Sequence, residues 1–472
     1  MEINTLTVSE LREGLLKKDF TPKEILDSTI KKIEILDPKL NAFPIRCFDK
    51  AYEQLKKLPK IEEINFFDYP LFGIPVGVKD LNDIEGVPTT QGSDLFKNYI
   101  PKQDDNIVSS MRVNGAIFPG KTNVPEHGFG ATTTNKLFGT TNNPYDISKS
   151  CGASSGGTAV SIASQMLPLA MGSDFAGSLR TPASFCNIVG MRPSVGFVPT
   201  SRRSIGWSPF DVEGPMARNV TDLKILLSGM VSECNLDPIP THVNKKRNLC
   251  YSPKIIDTKK LKVAISYDLG FAPMSNLCRK TFDKKLDLIK DFFEKIEFDH
   301  PKMSNADRTF YLLRGIGFVN DFSEINENNP GSLGDVIIDE LKRASSITIK
   351  DIGWAMNEHT RIYRNAEKFF EKYDLLITPA ASVPPFAHEE EYPKQIDGQD
   401  MGNYLKWESI SYGVTLFGGP AIVIPCGDIN GKMPFGIQLI SKKNSDLNLI
   451  DIAYSLESLF KGNSSLEFES RK

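Results

Sequence analysis

Residues 150–183 read SCGASSGGTAVSIASQMLPLAMGSDFAGSLRTPA, and the order of textures in this stretch decides the fold class. GTAVSIASQM reads as a helix of small and apolar residues, and LPLAMGSD as a short buried strand running into a glycine-bearing loop. The same texture extends from Phe72 to Gly196: FGIPVGVKD and GAIFPGKTN read as further buried strands, with DNIVSSMRV as a helix between them. Strands alternating with helices predict an α/β domain.

Working outward, the first forty residues predict packing helices. Thr7-x-x-Glu10 is a capping box ahead of Leu11, Leu15 and Leu16. Thr21-Pro22-Lys23-Glu24 supplies a cap, a first-turn proline and an acid, followed by the stripe Ile25, Leu26, Ile30 and Ile33, with an end expected near Asp37-Pro38. Residues 231–260 are polar and carry prolines, and read as a surface excursion, after which LKVAISYDLG and CRKTFDKKLDLIKDFFEKI resume strand and helix patterns. GPAIVIPCGDINGKMPFGIQLIS predicts two strands joined by a turn at Asn430-Gly431. Without internal repeats or a clean linker, one large domain is expected.

Composition narrows the function classes. The 472 residues are 40% hydrophobic and 24% charged, with a formal charge of −3. That suits a large globular core and gives no basic footprint for nucleic acid. No apolar leader and no run long enough to span a membrane are evident, so a cytoplasmic protein without a membrane partner is expected. The seven cysteines are scattered without a C-x-x-C pair, and the five histidines have no tight ligand spacing. Reduced thiols, no metal and no cofactor are the expectation.

Two short patterns compete with the fold reading. Gly115–Thr122 satisfies the phosphate-loop pattern, yet Ala116-Ile117-Phe118 puts a strand where the loop belongs, and NVPEHGFGATTTN is too rich in proline and glycine for the helix that must follow. Gly152-Ala153-Ser154-Ser155-Gly156 fits the nucleophile elbow G-x-S-x-G, which makes Ser154 one candidate nucleophile and Ser178 a second.

Amide cleavage needs a nucleophile, a base, an acid for the leaving nitrogen and donors for the oxyanion. His127 is the one histidine in the glycine-rich half and reads as structural. A lysine serves as base when burial strips its charge. Lys79 ends a strand on which Ile74, Val76 and Val78 alternate. The plain alternative is a surface lysine paired with Asp80. In GSDFAGSLRTPA, Gly172, Ala176 and Gly177 allow successive N–H groups to converge beside Ser178, with Asp174 and Arg180 as a bracing ion pair. The plain alternative there is a glycine-rich turn.

Three stretches together, GIPVGVKD, the run from Ser150 to Ser194, and GPMARNVTDL, closely resemble the amidase signature family of serine hydrolases. The likeness runs from SELREGLLKKDFTPKEI to PFGIQLIS and is weakest over about 231–345. It implies a central mixed, mainly parallel β-sheet flanked by helices. It also implies a division into N-terminal helices (1–60), a signature core (61–230), a variable helical region (about 231–345) and a C-terminal part of the core (346–472). In such enzymes the nucleophile corresponds to Ser178, the base to Lys79, and Ser154, held by a cis peptide bond, relays protons. The oxyanion donors correspond to the N–H groups of Phe175, Ala176, Gly177 and Ser178. Homodimers are common in the family, and the substrate is a small-molecule amide.

The chain departs from the pattern at Ala153, at Phe175-Ala176 and at Arg192-Pro193-Ser194. None of these removes a catalytic group, and Phe175 is expected to narrow the acyl pocket. Phe129, Trp207 and Trp407 are aromatic candidates for the substrate site. Phe210-Asp211-Val212-Glu213, where the amidotransferase subunit has a serine-leucine-aspartate-glutamine run, and EKYDLLITPAASVPPF point to a free-standing amidase. The alternatives are the glutaminase subunit of a tRNA-dependent amidotransferase, and a catalytically idle binding or assembly protein.

Overall fold

The computed structural model describes residues 2–240 and 252–460. His242, Cys250 and the middle of the expected surface excursion lie outside the described residues. Both N-terminal capping boxes form, Thr7 with Glu10 and Thr21 with Glu24. The second helix, Pro22–Leu40, carries Pro38 inside its last turn and runs slightly past the expected end. A proline there costs a single hydrogen bond near a fraying terminus. Asn41, at φ 51, closes the helix in the left-handed region.

Eleven strands build one sheet: β1 Ile45–Arg46, β2 Val76–Lys79, β3 Gly120–Thr122, β4 Leu169–Asp174, β5 Val189–Arg192, β6 Val212–Ala217, β7 Lys262–Ile265, β8 Lys295–Phe298, β9 Leu375–Pro379, β10 Ala421–Ile429 and β11 Met433–Ile440. Their order across the sheet is β1-β3-β2-β4-β6-β5-β10-β11-β9-β7-β8. The sheet is mixed. Parallel pairing is concentrated in two flanking blocks, β3-β2-β4 and β9-β7-β8, and the strands between β4 and β9 pair antiparallel. Strands β2, β4, β6 and β11 are buried along their whole length, which requires cover on both faces and explains their continuous apolar texture.

The segment expected to be helical over about 231–345 also delivers β7 and β8, so the sheet extends into the region of weakest likeness. The turn between β10 and β11 has Asn430 at φ 57 and Gly431 at φ 69, the positive values an Asn-Gly turn favours, and Lys432 completes the connection between the paired Ile429 and Met433. In the phosphate-loop pattern, Ile117 bridges Pro75 and Gly120–Thr122 is β3, followed by a short 3-10 turn at Glu126–Gly128. Lys121 is buried and paired with Asp80 at 2.6 Å. Among the described residues, no helix is long and apolar enough to cross a membrane.

Candidate active site

Lys79 is the last residue of β2, between β3 and β4, and none of its side chain reaches solvent. Asp80 belongs to Lys121, which removes the surface pair that the strand end alone allowed. The Lys79 Nζ donates to Ser154 Oγ at 2.8 Å and lies 3.0 Å from Ser173 Oγ on β4. Ser154 follows a cis Ala153–Ser154 peptide bond, just ahead of the helix Gly156–Ala163. That helix starts where only a bare backbone fits: a Cβ on Gly157 would stand 2.4 Å from the Asn123 nitrogen. The Ser155 N–H donates to the Ser178 carbonyl at 3.2 Å, which ties the two serine-bearing loops together. Lys79 and Ser154 are buried, whereas Ser178 is half-buried. Ser178 is thus the more open of the two serines.

The loop after β4 is organised by the Asp174 carboxylate, which is fully enclosed. It accepts hydrogen bonds from the N–H groups of Gly177 and Leu179, each at 3.1 Å, and from Arg180 at 2.9 and 3.0 Å. Arg192 reaches its side chain at 3.0 Å and its carbonyl at 2.6 Å. Burial works to raise the Asp174 pKa, but the two guanidiniums and the backbone donors hold it far below the usual carboxylate range. Of the expected oxyanion donors, Gly177 directs its N–H to the Asp174 carboxylate in this structure. Gly177 itself sits at φ 139 with its missing Cβ 2.7 Å from Ser411 Cβ, so no other residue fits. Phe175, Ala176 and Ser178 remain as candidate donors. The Phe175 carbonyl is held by Thr415 Oγ1 at 2.9 Å.

Burial brings Lys79 down to about 7, against the pull of Glu213 and Asp211 to raise it and with Arg202 assisting the fall. A lysine with this value is substantially neutral near pH 7 and able to accept a proton. Ser173, Glu213, Arg192 and Arg202 are residues of this site that sequence reasoning missed. The signal for Glu213 was a glutamate inside an otherwise uncharged strand, VEGPMA.

The aromatic candidates separate. Phe129 follows Gly128, whose Cβ position lies 3.6 Å from Ser154 Oγ. Its ring packs on Phe318 and Phe322, and it lines a cavity of about 390 Å³. Trp207 is 77% exposed, on a loop held by the Arg203–Asp237 pair and by Gly206 against Pro238. Trp407 is 1% exposed and packs edge-on to Phe386 in a core cluster with Phe185. The structure thus places Trp207 on the surface and Trp407 in the core. His127 lies between Phe96 and Phe322, with Nδ1 3.0 Å from Gln91 Oε1, and burial pushes it down to about 4. It is neutral at physiological pH. No group of His, Cys, Asp and Glu suited to a metal occurs among the described residues.

Comparison with known proteins adds three likenesses to a family match. The family model described as Amidase matches residues 24–450. A glutamyl-tRNA(Gln) amidotransferase subunit from Alkaliphilus metalliredigens is 30% identical, over 97% of each chain. An acylamidase from Rhodococcus erythropolis is 27% identical, over 97% of this chain and 96% of that one. The crystal structure of a bacterial aryl acylamidase of the amidase signature family superposes with a TM-score of 0.86 at 24% identity, covering 96% of each chain.

Proposed function

The chain belongs to the amidase family of amidase signature hydrolases, and from that premise we propose that it cleaves the C–N bond of a small carboxylic amide through an acyl-enzyme on Ser178. The observation that carries this reading is the 2.8 Å hydrogen bond from a fully buried Lys79 to Ser154, beside the loop that bears Ser178. Neutral Lys79 takes a proton from Ser154, and Ser154 takes one from Ser178 as its Oγ bonds to the amide carbonyl carbon. Backbone N–H groups of Phe175, Ala176 and Ser178 receive the oxyanion, in a loop pre-organised by Asp174 and its two arginines. The proton returns along the same chain to the nitrogen, the C–N bond breaks, and ammonia or amine departs. Water, deprotonated by the same relay, then hydrolyses the ester on Ser178.

A second reading is favoured by the amidotransferase relative from Alkaliphilus metalliredigens, which matches across nearly the full length. In that reading the amide is glutamine and activity needs partner subunits. The experiment is ammonia release by the purified chain alone, over a panel of aliphatic and aromatic primary amides and glutamine. Turnover of simple amides with glutamine ignored is expected. Silence until partner subunits are added, or glutamine as sole substrate, would replace the first reading with the second. An idle binding protein is separated by a fluorophosphonate, which labels Ser178 only if the nucleophile is activated.

A further inference from the structure

Resting on the amidase reading, we propose that Glu213 is a positioning residue that sets the basicity of Lys79, and that Arg202 is the counterion that restrains it. Glu213 lies on β6 directly opposite Ser173 of β4 in the antiparallel register. Such partners project from the same face with Cβ atoms about 5 Å apart, and Ser173 is itself within 3.0 Å of the Lys79 ammonium nitrogen. From the other side, Asn82, three residues beyond Lys79, donates to Glu213 Oε1 at 3.1 Å. The carboxylate is therefore bracketed by two residues that surround the base. Its second oxygen, Oε2, is buried without a hydrogen-bond partner among the described residues.

Arg202 supplies the balance. Its Nε donates to Glu213 Oε1 at 3.1 Å, and its terminal nitrogen reaches Asp211 at 2.7 Å. About a quarter of the Arg202 side chain is exposed and Asp211 nearly as much, so this ion pair links the enclosed lattice to solvent. The charged groups around Lys79 are Glu213 and Asp211 from the β6 segment, Arg202 from the preceding loop and Asp174 from β4. Asp105 joins through Asn82, at 3.2 Å. Asp80, next in the chain, is neutralised by Lys121.

Burial lowers the basicity of Lys79. A buried carboxylate flanked by Ser173 and Asn82 favours the ammonium and strengthens the base, and a guanidinium on that carboxylate limits the effect. Burial pushes the Glu213 carboxyl up and Arg202 holds it down; with Glu213 ionised, removing either partner moves the base in opposite directions, which a merely structural role would not do.

The test is the rate of Ser178 modification by a fluorophosphonate as a function of pH, with the modified peptide identified by mass spectrometry. Wild type, Glu213→Gln, Arg202→Gln and the double variant are compared. Glu213→Gln should shift the midpoint of the rising limb to lower pH by about one unit and reduce the plateau rate. Arg202→Gln should shift it to higher pH, and the double variant should fall between the two. A midpoint unmoved in Arg202→Gln, or moved the same way as in Glu213→Gln, overturns the proposal. Arg202→Gln decides alone if Glu213→Gln does not fold, since its site is partly open to water. Absence of label on Ser178 in the wild-type protein overturns the amidase reading itself, and is thereby distinguishable from failure of the Glu213 proposal.

Discussion

In the proposed mechanism Lys79 acts only without its proton, and burial, opposed by the neighbouring carboxylates, places that transition at about 7. Below this pH the ammonium cannot accept from Ser154. With chemistry rate-limiting, kcat/KM should therefore rise tenfold per unit on the acid side and level off above about pH 8. A flat profile between pH 6 and 10 would remove lysine from the role. Ser154→Ala interrupts the relay while leaving Ser178 in place. It should slow both turnover and fluorophosphonate labelling by about 10²–10⁴-fold, and label found on Ser154 in the parent protein would reverse the assignment of the two serines. In the same mechanism, Phe175 is proposed to bear on which acyl group is accepted. Its half-buried ring meets Phe210 at 5.6 Å and Phe310 at 5.8 Å beside the oxyanion loop. Phe175→Thr should open that space and broaden the range of amides turned over, and an unchanged substrate profile would remove Phe175 as a determinant.

The loop that follows β4 behaves as an element built around one charge. Asp174 satisfies two guanidiniums and two backbone donors at once, so its carboxylate fixes both the turn and the strand ends that enter it. Asp174→Asn would leave Arg180 and Arg192 enclosed with no counter-charge between them. The expected loss is about 3–5 kcal/mol of unfolding free energy in urea titration, together with loss of Ser178 labelling. Stability lost with labelling retained would mean that the loop holds its shape by other contacts. Legibility differs from one element to another for the same physical reason. Capping boxes at Thr7 and Thr21 and the Asn430-Gly431 turn are local agreements between neighbouring residues, and they were readable without the fold. The Asp174–Arg180 pair was readable because the partners lie within one loop. Arg192 arrives from β5 and Glu213 from β6, and no local pattern announces which strand will lie beside which.

At the scale of the molecule, the candidate site depends on the sheet bringing β2, β4 and β6 side by side. Lys79, Ser154 and Ser178 could be singled out because long motifs carry them. Trp207 and Trp407 could not be placed, since an aromatic residue has the same signature in a core, on a surface or in a pocket. The order of strands also makes the fold pay for its enclosed lysine, and that cost has a sign. Lys79 falls from the ordinary lysine value of 10.5 to about 7 on folding. Between those values the unfolded chain holds a proton that the folded chain has released, so unfolding free energy rises with pH through this window from this group. Below about pH 7 both states are protonated and the penalty of enclosing the charge is present in full. Lys79→Met keeps the length of the side chain without the charge. It should unfold at a higher temperature than wild type at pH 6, with the difference shrinking steadily as pH is raised towards 10. A difference that is constant across that range would mean that Lys79 enters and leaves the folded protein with the same proton, and that the enclosed lysine is not the neutral base on which the mechanism rests.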